Sequence, residues 1–168
     1  FPIDLQVDPR DPLRLYANAY GGGVFRSDDG GAHWVEASRG YTGAQVRAIV
    51  VDPEAAGHVV AAGRSGVFAT QNGGLDWHGV NSPSIDSIEW NALAINPHDP
   101  QELIGGMNVG SGMLVASSNG GASWRTILML ETFGMGWRAV AYAPSEADIV
   151  YAGVGGYVSA GSFDYAKP

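Results

Sequence analysis

The sequence repeats itself, and the repeat is too short to fold alone. The segments Leu5-Gln-Val-Asp-Pro9, Ile49-Val-Val-Asp-Pro53, Leu93-Ala-Ile-Asn-Pro97 and Val140-Ala-Tyr-Ala-Pro144 align on proline at spacings of 44, 44 and 47 residues. A second marker of the form S/T-x-D/N-G-G-x-x-W follows the first three, as Ser27–Trp34, Thr70–Trp77 and Ser117–Trp124, at spacings of 43 and 47 residues. Between the markers lie apolar or aromatic runs split by glycine clusters, for example Leu15-Tyr-Ala, Gly21-Gly-Gly and Val24-Phe25. Such runs punctuated by turns are short strands. A period of this length accommodates a four-stranded antiparallel unit, and a unit of that size buries its apolar faces only by stacking on its neighbours.

The octad is the Asp box, and the chain resembles the bacterial neuraminidase repeat families. These include sialidases, sortilin-like receptor propellers, xyloglucan-hydrolysing glycosidases and photosystem II assembly-factor propellers. The resemblance implies an all-β chain, a β-propeller with four-stranded antiparallel blades, three full blades and a partial fourth forming an open segment of a larger ring. The expected bounds are 3–40, 46–83 and 90–127, with the partial blade at 137–168. No fourth octad follows Trp137–Pro144, so the remainder of the propeller is expected from further sequence or from another chain.

The octads read as structural. Asp29, Asn72 and Asn119 are placed to accept backbone N–H groups, while Gly30-Gly31, Gly73-Gly74 and Gly120-Gly121 supply positive φ. Ser27, Thr70 and Ser117 tie the start of each turn, and Trp34, Trp77 and Trp124 are expected to be buried between blades. Two of the three boxes lack the carboxylate a calcium loop needs, so no metal is expected there.

The proline turns and octads fall on one face of a propeller, leaving the loops between second and third strands, with the blade-to-blade connections, on the other. The former are Asn18–Gly22, Gly63–Gly66 and Gly106–Gly112; the latter are Glu36–Gln45, His78–Glu89 and Arg125–Gly136. Tyr20 and Tyr41 sit in these loops, and Trp90 and Trp137 open successive repeats where Pro2 and Val46 stand earlier. The two tryptophans suit either an aromatic floor for a sugar or peptide, or core at the channel mouth. One position on, Arg47, Asn91 and Arg138 are expected to point the other way, where they read either as ordinary solvated polar groups or as a site for an anionic ligand. Arg64, Glu89, Asn108 and Glu131 complete the candidates on this face. The connection Ile127–Met135 is unusually apolar for a loop and reads as a contact with a partner, a domain or a neighbouring blade.

Catalysis has weaker support in the residues. Glycosidases usually set two carboxylates across the scissile bond, and Asp4, Glu36, Asp86, Glu89 and Glu131 show no marked pair. Leu15–Arg26 resembles the xyloglucan-hydrolase stretch L-Y-A-R-T-D-V-G-G-A-Y-R, but Tyr20 stands where that family has its aspartate. The sialidase F-R-I-P motif has no counterpart. The resemblance therefore implies a noncatalytic scaffold that binds a protein or glycan. The alternative is part of a secreted glycoside hydrolase whose catalytic carboxylates lie in sequence not present here.

Charge and composition narrow the partners. Nine basic and 17 acidic residues give a net charge of −8, which repels nucleic acid and anionic membranes. There is no cysteine, and no apolar run approaches the roughly 20 residues of a membrane helix. No cofactor is expected, and the resemblance implies an extracellular, cell-surface or periplasmic setting.

Overall fold

A computed structural model describes residues 2–41, 45–80, 89–108, 111–133 and 135–156, in which there are fourteen strands and no helix. Blade one contains β1 (Pro2–Asp8), β2 (Asp11–Ala19), β3 (Val24–Ser27) and β4 (Val35–Glu36). Blade two contains β5 (Val46–Val51), β6 (Val59–Gly63), β7 (Gly66–Thr70) and β8 (His78–Gly79). Blade three contains β9 (Trp90–Asn96), β10 (Asp99–Met107), β11 (Ser111–Ser117) and β12 (Arg125–Phe133). The fourth sheet pairs β13 (Met135–Ala143) with β14 (Glu146–Gly156). Every sheet is antiparallel with neighbours in chain order, which is the blade of a β-propeller. The rest of the fourth repeat, 157–168, lies outside the described residues.

Local turn chemistry explains the regularity. Before each of the first three repeat prolines a buried Asp or Asn accepts backbone N–H groups. Asp8 takes that of Arg10 at 3.0 Å, Asp52 those of Glu54 at 2.7 Å and Ala55 at 3.0 Å, and Asn96 that of His98 at 2.9 Å. The free side of this residue is matched six positions on: Asp52 Oδ2 meets His58 Nδ1 at 2.7 Å, and Asn96 Nδ2 donates to Glu102 Oε2 at 2.8 Å. The fourth repeat replaces the polar pair by Ala143 and Ile149.

The octads repeat one another bond for bond. Ser27 Oγ, Thr70 Oγ1 and Ser117 Oγ accept the N–H of Gly31, Gly74 and Gly121 at 2.9, 3.1 and 2.9 Å. Asp29, Asn72 and Asn119 each accept, at 2.9 Å, the N–H four residues on. Gly30 and Gly31, with φ of 72° and 94°, occupy the left-handed region that this reversal requires. The Asp-to-Asn change leaves the accepting oxygen in place.

The core lies between blades. Tyr16, Val24, Ile49, Phe68 and Trp77 pack blade one on blade two; Val60, Val67, Trp90, Leu103 and Met107 pack blade two on blade three; and Ile104, Leu114 and Trp137 meet the fourth sheet. The tryptophans of the second and third octads lie at the junction with the preceding blade. Trp77 is 5% exposed and donates from Nε1 to the Ala37 carbonyl at 2.7 Å, and Trp124 is half-buried with its ring 4.7 Å from that of Trp90. Trp34 departs from the expected burial. It is 38% exposed and its Nε1 turns to the Gly31 carbonyl of its own octad, because no described blade stands in front of β1–β4.

The segment read as an apolar loop is also different. Arg125–Phe133 continues as a nine-residue strand, whereas β4 and β8 have two residues each. Leu128 and Met129 pair with Leu114 and Met113 and remain exposed on the outer edge of blade three. Leu130 turns inward beside Trp137.

Candidate functional site

The first strand of each blade begins with a β-bulge near the connection from the blade before. Val46 pairs with Gly63 and Ala48 with Ala62, so Arg47 is an extra residue; Asn91 holds the same place between Trp90 and Ala92, and Arg138 between Trp137 and Ala139. A bulge re-aims a side chain that regular alternation would send to one sheet face. In blade one the bulge is clamped by Asn18, whose Oδ1 accepts the N–H groups of Ile3 at 3.2 Å and Asp4 at 2.8 Å.

Around these bulges the polar residues of blades two and three converge. Arg47 Nη2 meets Glu89 Oε1 at 2.5 Å, both side chains about one-fifth exposed at 18% and 23%, and Arg64 Nε approaches the same oxygen at 3.4 Å. The Glu89 carbonyl accepts the N–H of Asn108 at 3.0 Å, which ties the connection to the loop after β10. Among the described residues, Arg47 Nε, both amide atoms of Asn91 and Gln45 Oε1 are buried without a hydrogen-bond partner. Unsatisfied groups of this kind need a water or a ligand. Arg138 Nε donates to the Gly155 carbonyl at 3.4 Å.

Several expected ligand residues do other work. Trp90 is fully buried and Trp137 6% exposed, so both rings fill the interblade core and neither offers a face to a ligand. Tyr41 packs 4.5 Å from Phe68 and 6.4 Å from Trp77, and burial pushes its hydroxyl pKa up to about 12. Tyr20 is half-exposed in the loop after β2, and Glu131 is exposed on β12. Among the carboxylates, Asp4 Oδ2 accepts the N–H of Ile49 at 3.0 Å and so joins blade one to blade two. Glu36 is exposed on β4, and Asp86 lies outside the described residues. The bulges themselves were not legible in the sequence, because register is decided by the partner strand.

On the octad face the carboxylates are held as anions. The His33 backbone N–H, then its side chain and Ser27, lower the Asp29 carboxyl pKa to about 2. The hydrogen bond from Arg14 lowers that of Asp28, and the same bond raises that of Arg14. Among the described residues no group of three or more acidic or histidine side chains is arranged to hold a metal ion.

The family model described as Sortilin-Vps10 (Sortilin, neurotensin receptor 3) matches residues 22–152, well over half of the chain. The chain belongs to this family. No curated protein sequence matches it at a significant level. Solved structures share the fold of this Sortilin-Vps10 chain. It is similar to an ancestral GH74 enzyme, with a TM-score of 0.79 and 22% identity, over 90% of this chain and 21% of that one. It is similar to an auxiliary nutrient binding protein from Bacteroides thetaiotaomicron, with a TM-score of 0.67 and 17% identity, over 91% of this chain and 36% of that one. It is similar to YCF48 bound to D1 peptide, with a TM-score of 0.58 and 10% identity, over 85% of this chain and 59% of that one. The Sortilin-Vps10 segment thus spans about a fifth of the first structure's length. At these identities the likeness is one of fold, and one fold carries many functions.

Proposed function

We propose that this Sortilin-Vps10 segment is a noncatalytic binding module that presents its bulge-lined face to a protein or glycan outside the cell or in the periplasm. The observation that carries the reading is the group of buried, unpartnered polar atoms on Arg47, Asn91 and Gln45 beside the Arg47–Glu89–Arg64 ion pairs. Preformed donors and acceptors without internal partners favour a polar ligand that replaces water there. Glu89 is engaged by two arginines and Asp4 by backbone, which leaves neither poised as a general acid. The nutrient-binding and peptide-bound propellers of similar fold support a binding role. The net charge of −8 disfavours nucleic acid.

The second reading, part of a secreted glycoside hydrolase with its carboxylates elsewhere, draws on the likeness in fold to the ancestral GH74 enzyme. A glycan array and a peptide array probed with wild type and with the Arg47→Ala/Asn91→Ala variant separate the two. The binding reading expects capture on one array, weakened at least tenfold in the variant. Capture on neither array, or release of sugar from a xyloglucan substrate by this chain, overturns it.

A further inference from the structure

The first interblade junction differs from the other two at one repeat position on the octad face. Before the first octad stands Arg26, and Ala69 and Ala116 take its place before the second and third. Arg26 Nη1 donates to the Gly73 carbonyl of the next blade at 2.7 Å, and Arg26 and Arg14 both pair with Asp28. That triad narrows the junction between blades one and two, where a cavity of about 320 Å³ remains beside Arg26. At the next junction the corresponding residues are His58, Ala69 and Gln71, and a cavity of about 500 Å³ opens between blades two and three. Its size lies in the range of small-molecule sites, roughly 300–1,000 Å³.

The wall is polar, and no carboxylate, lysine or arginine side chain lines it. His58 is tied through Nδ1 to Asp52 at 2.7 Å, which leaves Nε2 as its free ring nitrogen. Gln71 and His78 of blade two and Gln101 of blade three line the same cavity, and none of their side chains has a hydrogen-bond partner among the described residues. Each glutamine offers both donors and an acceptor. A hydroxyl both donates and accepts, so a run of hydroxyls uses the whole set, whereas a carboxylate or phosphate uses only donors and finds no lysine or arginine in the lining. Ala69, Val80 and Ala122 supply an apolar floor for the carbon face of such a ligand.

We propose that the cleft between blades two and three, wider than the one Arg26 partly fills at the first junction and the one Arg125 and Ile127 line at the third, binds a short neutral saccharide. This site is on the face opposite the bulges and stands independently of the function proposed above. Ala69→Arg tests it, because the new guanidinium can reach the Gly120 carbonyl as Arg26 reaches that of Gly73, narrowing the cleft with a contact the fold already uses. Titration of the full chain with cellobiose, followed by NMR chemical shifts, is expected to saturate in wild type and in Arg47→Ala. Affinity should fall at least tenfold in Ala69→Arg and in Gln71→Ala/Gln101→Ala, the latter serving if the arginine variant is unfolded. No saturation with cellobiose in wild type, or equal affinity in a folded Ala69→Arg, overturns the proposal. So does loss confined to Arg47→Ala, which moves binding to the bulge face.

Discussion

Blade two is packed on both faces and blade one on one, although their strands and turns are built from the same repeat. In β6 and β7 every residue is buried, whereas in β1 Ile3, Leu5 and Val7 are exposed, joined by Leu13, Trp34 and Val35 from the rest of that blade. The octad hydrogen bonds are nevertheless alike in both blades. Turn geometry is thus a local property of the repeat, and burial is a property of the neighbour. The stabilisation of a repeat protein lives largely in those nearest-neighbour contacts.

Equivalent tryptophans give the largest contrast. Trp77→Ala removes a buried ring and its bond to Ala37, and should cost about 3–5 kcal/mol in denaturant unfolding. Trp34→Ala should cost about 1 kcal/mol or less, since its ring packs on its own turn. Equal losses would break the comparison between the blades.

A smaller contrast comes from glycine. A Cβ at Gly63 would lie 2.1 Å from the Gln45 carbonyl oxygen, while one at Gly21 meets nothing within 4 Å. Gly63→Ala should therefore destabilise by about 1–3 kcal/mol, and Gly21→Ala by less than about 0.5 kcal/mol. Thermal melts of the two variants check this.

The smallest effect is in acid. Asp29 has a folded pKa lowered from 3.8 to about 2, so its contribution to stability is present above about pH 4 and is lost as pH falls toward 2. Asn72 and Asn119 make the same turn without titrating. Asp29→Asn should leave the melting temperature nearly unchanged at pH 7 and make its fall between pH 4 and 2 slightly shallower than in wild type. An unchanged acid slope would show that the carboxylate acts only as an amide would.

These contrasts also explain what was legible in the sequence. The proline turns at Asp8, Asp52 and Asn96 and the three octads were readable because their hydrogen bonds close within a few residues. Exposure of Trp34 was not, since it depends on a surface outside its own blade. The strand over Ile127–Leu130 was read as a loop because a continuous apolar run lacks the alternation that marks a half-buried strand. Trp90 and Trp137 fitted a sugar floor as well as core from type and position alone, and the packing of Trp124, Ile104 and Leu114 against them decides for core. Arg47, Asn91 and Arg138 were found by repeat position, but not the bulge that aims them.

Amide hydrogen exchange resolved by residue tests the central claim most directly, because it reads the stability of each blade within one molecule. If packing between blades carries the stability, Val59–Gly63 of β6 should exchange slowest. Leu5–Val7 of β1 and Val150–Gly153 of β14 should exchange at least tenfold faster despite their paired strands. Uniform protection across β1, β6 and β14 would contradict the account and place the stability within each blade instead.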